Sequence, residues 1–304
     1  MGTIINIGFS KTASSWFQTY FYPNIQNIGF INKHIIREQI IEPNSFDFNP
    51  DKIKEYFKVN YSNRLLLSHE NLVGPVNSGG LNGFATKELG IRIKSIFPDA
   101  NIIIFIRNQA DIIASANLQE IMEGSTYNID SFLYHKGKNL YNNMMMFSFA
   151  FLEYDKTIKF YYDLFGQNKV HIFLYEDFLN DKLNFLTNFC SIFNLEINFN
   201  NLNKEKYNNR LQKYLFPLVR GSNFFTNKNT VFKHYLFNIP YLFPVSRKIF
   251  FYANKFKVFG NFPTSVQILG EKNYNYINDY YRVSNNVLHD KFGINSIKNY
   301  NYPL

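Results

Sequence analysis

Lys11 stands between a glycine and a run of hydroxyls: Gly8-Phe9-Ser10-Lys11-Thr12-Ala13-Ser14-Ser15-Trp16. An apolar run, 4–7, leads into Gly8, and a helical pattern follows from Ser14. The first amides of a helix lack internal partners and carry partial positive charge. A lysine in the preceding turn and hydroxyls at the helix start add a full charge and further donors. That combination holds a phosphate or a sulfate. Two more polar groups stand directly after apolar runs. Ser68, His69 and Glu70 follow residues 65–67, and Arg107 follows residues 102–106, with Ser115 eight residues later. A histidine or a carboxylate there is a candidate general base. An arginine at a strand end and a serine in the next helix can grip one phosphate together, the arginine bidentately. The chemistry these groups suit is transfer of a charged group to a hydroxyl.

To act together, these groups must be brought to one edge of a sheet. Apolar runs at 4–7, 27–32, 64–68, 101–106 and 170–175 read as strands, the third and fourth apolar on both faces as buried parallel strands are. Helical patterns lie between them at 84–97, 109–122, 130–165 with a break near Gly137, and 183–193. The first helix should stop before Pro23, and the glycine-rich stretch 74–83 reads as a loop. Asn108, Asp111 and Ser115 should share one face of the helix after Arg107. Ala13 occupies the turn without a glycine's freedom, so the turn is expected to avoid positive φ there. Alternation of strand and helix implies a parallel sheet, with ligands at the carboxyl ends of its strands. The expected fold class is therefore α/β, a central parallel sheet of about five strands flanked by helices. After Asn194 the strand signals stop. The reading is one domain over 1–304, with an α/β core at 1–193 and a helical C-terminal cap at 194–304 whose last helix covers 276–292.

The spacing around Lys11 differs from the nucleotide-triphosphate loop, Gly-x-x-x-x-Gly-Lys-Ser/Thr. It resembles the 5′-phosphosulfate loop of sulfotransferases that use 3′-phosphoadenosine 5′-phosphosulfate (PAPS), through Gly8, Phe9, Lys11, Thr12, Ser14, Ser15 and Trp16. The run 106–115 is similar to the 3′-phosphate motif of bacterial carbohydrate-type members, and 68–72 to their Ser-x-Glu-x-Leu pattern. The resemblance implies a P-loop-like sulfotransferase fold, PAPS as cosubstrate, 3′,5′-ADP as product and no metal. It implies that Lys11 neutralises the leaving oxygen, and that Thr12, Ala13, Ser14, Ser15 and Trp16 hold the 5′ side. Arg107 and Ser115 would select the 3′-phosphate, with Arg210 and Arg220 in the cap as possible additions. Glu70, or else His69, would be the base, with His34 a third candidate.

The chain has 304 residues, 46% of them hydrophobic, and a net charge of +9, which favours an anionic ligand. Its single cysteine, Cys190, permits no intrachain disulfide, and no basic-flanked apolar leader opens the sequence, so a cytoplasmic protein is expected. There is no zinc-type Cys/His spacing. Basic residues are scattered and form no recognised nucleic-acid module, so no nucleic-acid partner is expected. The implied acceptor is a hydroxyl-bearing small molecule or polysaccharide. Two other functions fit parts of the pattern: a P-loop kinase, and a non-catalytic binder of anionic glycan or nucleotide. Nothing in the sequence sets an oligomeric state. The stretch 232–259 interleaves Lys233, Arg247, Lys248, Lys255 and Lys257 with aromatic rings. Two readings stay open for it: peripheral contact with an anionic membrane, at its inner face, or an aromatic cover that walls an acceptor pocket.

Overall fold

The computed structural model describes residues 2–61, 64–75, 79–134, 147–199, 211–228 and 233–304. The strands are β1 (Ile4–Asn6), β2 (Gly29–Phe30), β3 (Leu65–Ser68), β4 (Asn101–Ile106) and β5 (Val170–Leu174). In the first half of the chain the helices are α1 (Ser14–Trp16), α2 (Lys33–Ile36), α3 (Pro50–Asn60), α4 (Gly79–Asn82), α5 (Phe84–Ile96), α6 (Gln109–Met122) and α7 (Ile129–Tyr134). The second half adds α8 (Tyr154–Phe165), α9 (Tyr175–Asn180), α10 (Lys182–Phe193), α11 (Leu215–Asn223), α12 (Leu242–Ala253), α13 (Ser265–Leu269) and α14 (Glu271–Asp290). The chain divides into two compact units. One comprises 1–108, 149–206 and 282–304, the other 109–148 and 207–281.

The first unit contains the sheet. Its order is β2-β3-β1-β4-β5 and every pairing is parallel. Ile4 lies opposite Leu66 on one side and Asn101 on the other. β1 is therefore the switch point, with β3 and β4 as its two neighbours. The carboxyl ends of these three strands carry Lys11, His69 and Glu70, and Arg107, in the crevice where such sheets bind ligands. The strands are short apolar runs because both faces are covered; Leu65–Ser68 is buried throughout. One face packs on an aromatic cluster that includes Phe17, Phe21, Phe105, Phe173 and Phe189. Phe185, Leu186, Phe189 and Phe193 all face inward from α10.

Several elements differ from the expectation. The first helix does not stop before Pro23. α1 widens into a π turn, Phe17–Phe21, and then a 3-10 turn, Tyr22–Asn24. The extra residue per turn puts Phe17, Phe21 and Tyr22 all on the buried side, and Pro23 falls in the first positions of its turn, where a missing N–H costs little. Within 74–83, α4 is helical rather than loop; it packs against α5 and the 3-10 turn Phe149–Leu152, and these contacts outweigh glycine's poor helix propensity. β2 covers only Gly29–Phe30 of the expected 27–32. Tyr175 opens α9 instead of ending β5. The expected break near Gly137 lies outside the described residues.

In the second unit, α6 packs against α11 and α13, and α11 against α12. Ile121, Leu211, Leu215 and Val219 form its apolar centre. α14 begins at Glu271, ahead of the expected Tyr276, because Asn273 anchors its first turn. The Asn273 amide donates to Asp130 Oδ1 (2.8 Å) and Leu269 O (2.9 Å), and Tyr134 Oη donates to Asn273 Oδ1 (3.0 Å).

Candidate active site

The loop after β1 is built around two left-handed residues. Lys11 has φ +68° and Ala13 has φ +65°, ψ +15°. Ala13 therefore adopts the conformation that its side chain was expected to exclude. A non-glycine residue pays roughly 1–2 kcal/mol there, and the surroundings must hold it in place. Three contacts do so. Thr12 is buried and its hydroxyl donates to Phe9 O (2.6 Å). The amides of Trp16 and Phe17 both donate to Ala13 O. From the end of β4, Arg107 Nη1 donates to Lys11 O (3.0 Å). Gly8 is required by close approach: a Cβ there would meet Asn6 Oδ1 at 2.9 Å, the same oxygen that accepts the Gly8 amide.

This geometry leaves the amides of Ala13, Ser14 and Ser15 with no hydrogen-bond partner among the described residues. The Ser14 side chain is half-buried and that of Ser15 exposed. The Thr12 hydroxyl is committed to the loop. Trp16 is only 5% exposed, packed against Phe17 and Phe178, and Lys182 Nζ lies 3.7 Å above its ring. It anchors the helix in the aromatic cluster.

Arg107 is buried at 8% exposure. Its guanidinium lies 4.7 Å from the Tyr175 ring, and its Nε has no partner among the described residues. Tyr154 Oη donates to the Arg107 carbonyl (2.7 Å). The expected shared face with Asn108 does not form, because α6 begins one residue later and Asn108 turns away. Its side-chain amide donates to Asn301 O (2.8 Å), and its backbone N–H to Glu176 Oε1 (2.8 Å). Tyr302 Oη donates to Glu176 Oε2 (3.2 Å) and Tyr300 Oη to Asp177 Oδ1 (2.6 Å). Residues 300–302 thus brace the ends of β4 and β5. Burial pushes the Glu176 carboxyl above the usual carboxylate range despite those bonds. Ser115 lies on α6 in the second unit and is half-buried; in the same unit Asp111 accepts from the Ser265 hydroxyl. Arg220 lies on α11, and Arg210 lies outside the described residues.

At the end of β3, the Asn71 amide donates to His69 Nδ1 (3.0 Å), so His69 caps the 3-10 turn Glu70–Val73. Nδ1 is then the acceptor, and the neutral ring carries its proton on Nε2. Burial lowers the His69 pKa, the nearby Glu70 opposing it. Glu70 is half-buried, and Gln18 Nε2 bridges to its Oε2 (3.3 Å) and to Ser68 O (3.2 Å). Gln18 thus ties the helix after the β1 loop to the candidate base, a contact that no motif marks. Both base candidates line a cleft of about 400 Å³ with Lys33, Arg37, Ile41, Glu42 and Asn71. Arg37 pairs with Glu42 across it. His34 is exposed on α2 and does not line this cleft.

No protein-family model matches this chain, and no curated protein matches it. Solved structures do. A mouse sulfotransferase complexed with PAP superposes with a TM-score of 0.50, at 13% identity, over 98% of this chain and 88% of its own. A sulfotransferase from Alicyclobacillus acidocaldarius gives a TM-score of 0.49 at 17% identity, over 69% of this chain and 87% of its own. At these identities the likeness is one of fold, and the fold is α/β with a five-stranded parallel sheet, that of the sulfotransferases.

Proposed function

We propose, with the sulfotransferase fold as premise, that this chain moves the sulfuryl group of PAPS to the hydroxyl of a carbohydrate acceptor. The observation that carries the reading is the loop after β1. Three amides without a partner among the described residues, Ala13 to Ser15, follow Lys11 and Thr12, and Arg107 holds the loop by the Lys11 carbonyl. The donor set fits a 5′-phosphosulfate: amides and a cation for spread negative charge, with no carboxylate in the loop. In this reading Lys11 neutralises the oxygen that bridges sulfur and the 5′-phosphate. In this reading the unpartnered Nε of Arg107 is the donor for the 3′-phosphate.

Glu70 is the base in this proposal. It takes the acceptor's proton as the acceptor oxygen bonds to sulfur. The bond from sulfur to the bridging oxygen breaks, and 3′,5′-ADP leaves with the electron pair. His69 is poorly suited, because protonation at Nδ1 would break its bond to the Asn71 amide. Six of the seven residues lining the cleft are polar, which suits a sugar. Product 3′,5′-ADP and the absence of magnesium from this scheme separate it from the kinase reading.

The test is incubation with labelled PAPS and a panel of glycans, read by mass spectrometry. The expected result is a sulfated glycan and one equivalent of 3′,5′-ADP. Lys11→Ala should lower kcat by roughly 10²-fold or more, the scale of losing one preorganised electrostatic donor. Tight 3′,5′-ADP binding with no transfer to any acceptor would favour the binding protein; phosphoryl transfer from magnesium-ATP would favour the kinase.

A further inference from the structure

α12 turns two kinds of residue inward: Phe250 and Ala253 pack on the apolar centre of the unit, and a polar group lies beside them. Ser246 is buried, and the Arg247 guanidinium donates to Met122 O (2.7 Å), Ile121 O (3.2 Å) and Asn223 Oδ1 (2.5 Å). Asn223, fully buried, donates in turn to Ile121 O and Ser125 O. Arg247 thus satisfies the last carbonyls of α6, which need a cation or donor at that end. Because Arg247 must point inward, the opposite stripe of α12 points out. Val245, Lys248, Ile249 and Tyr252, at helical spacing, are all exposed, with Ile249 at 59%.

The stripe does not stand alone. Leu236, Phe237 and Tyr241 before the helix, and Phe256 and Val258 after it, are exposed too, Tyr241 at 81%. Phe232 and the Lys257 side chain lie outside the described residues. Lys255 Nζ sits 4.9 Å from the Phe251 ring and 5.2 Å from the Tyr252 ring, so the cation lies among the rings. Over 211–270 the sequence has eight Lys and Arg and no Asp or Glu, against +9 for the whole chain. The stretch holds most of the net charge because it lacks acids; Lys233 and Arg247 are turned inward, and Lys248 and Lys255 are exposed.

We propose that this face of the second unit docks on the surface of an anionic lipid bilayer, independently of the activity proposed above. Exposed aliphatic and aromatic side chains of this number need an apolar partner. Interleaved lysines with no acidic neighbour need an anionic one, and a bilayer interface with acidic headgroups supplies both within a few ångströms. An anionic polymer would use the lysines and leave the aliphatic residues Leu236, Val245, Ile249 and Val258 in water.

The experiment is vesicle co-sedimentation of the full chain. Phosphatidylcholine vesicles are compared with vesicles half phosphatidylglycerol, at low and high salt. The expected result is binding to the acidic vesicles only, weakened by salt. Lys248→Glu with Lys255→Glu should weaken partitioning roughly tenfold or more, because each basic group near an acidic surface counts several-fold. Ile249→Asp with Tyr252→Asp should weaken it comparably, with the thermal melting curve unchanged. No binding to acidic vesicles at low salt overturns the proposal. So does binding that charge reversal abolishes while the Ile249/Tyr252 variant leaves it intact, the behaviour of a site for an anionic polymer. Sedimentation of a dimer that the Ile249/Tyr252 variant dissolves, without vesicle binding, overturns it in favour of a second copy of the chain.

Discussion

Ala13 shows how a single residue carries strain at this site. Its left-handed backbone turns the following amides outward, and its methyl group costs energy that a glycine would not. Ala13→Gly should therefore raise stability, by up to about 1 kcal/mol once the greater unfolded-state freedom of glycine is deducted. Thermal melting checks this, and a lower Tm would show that the loop tolerates Ala13 without strain. His69 and Glu70 separate equally cleanly. Glu70→Gln should lower kcat by roughly 10²-fold or more while 3′,5′-ADP affinity is retained, the loss expected of a general base. His69→Ala should keep most of the turnover and lose about 1 kcal/mol of stability, the value of a turn cap. The reverse pattern would move the base to His69.

At the scale of elements, β4 and the segment it leads to do two tasks. In the proposed function Arg107 meets a 3′-phosphate, and in the structure it holds the loop after β1 through Lys11 O. Arg107→Ala should thus weaken both 5′-AMP and 3′,5′-ADP. The loss for 3′,5′-ADP should be larger by about 1.5–3 kcal/mol, a charge-assisted hydrogen bond. Calorimetry with the two ligands checks it, and equal losses would leave Arg107 a loop brace only. Residues 300–302 support the same strand ends. Tyr302 is buried and reaches Glu176, which in turn accepts from the Asn108 amide. Tyr302→Ala should cost about 3–5 kcal/mol in urea unfolding, the range for deleting a buried aromatic ring.

For the molecule as a whole, a buried histidine, His69, and a half-buried one, His171, set the response to acid. Burial lowers the pKa of both His69 and His171 in the fold. The unfolded chain then binds more protons below its ordinary histidine pKa. Stability is fully present above about pH 6.5 and falls as the pH drops through that value, by at most about 1.4 kcal/mol per unit for each group. Glu176 acts oppositely at lower pH: its raised pKa means that ionisation costs stability as the pH climbs past about 4.5. Urea midpoints across this range check the sum. His69→Asn, which keeps an acceptor for the Asn71 amide but cannot take up a proton, should flatten the acid side.

β4 and α6 were legible residue for residue, because an unbroken apolar run and a helical pattern each end at a clear polar boundary. The same patterns put Lys11, Glu70 and Arg107 at three strand ends, and parallel pairing with β1 at the centre makes those ends neighbours. Local rules mispredicted Ala13, which obeys contacts from Phe9 and Arg107 rather than its own preference. They could not see that Gln18 spans to Glu70, or that His69 spends Nδ1 on a cap. Over 232–259 the interleaved cations and rings were plain in the sequence, but not which of them face outward. Spacing leaves that direction to the neighbours: here the last carbonyls of α6 claim Arg247, Phe250 and Ala253 pack inward, and Val245, Ile249 and Tyr252 are left to solvent.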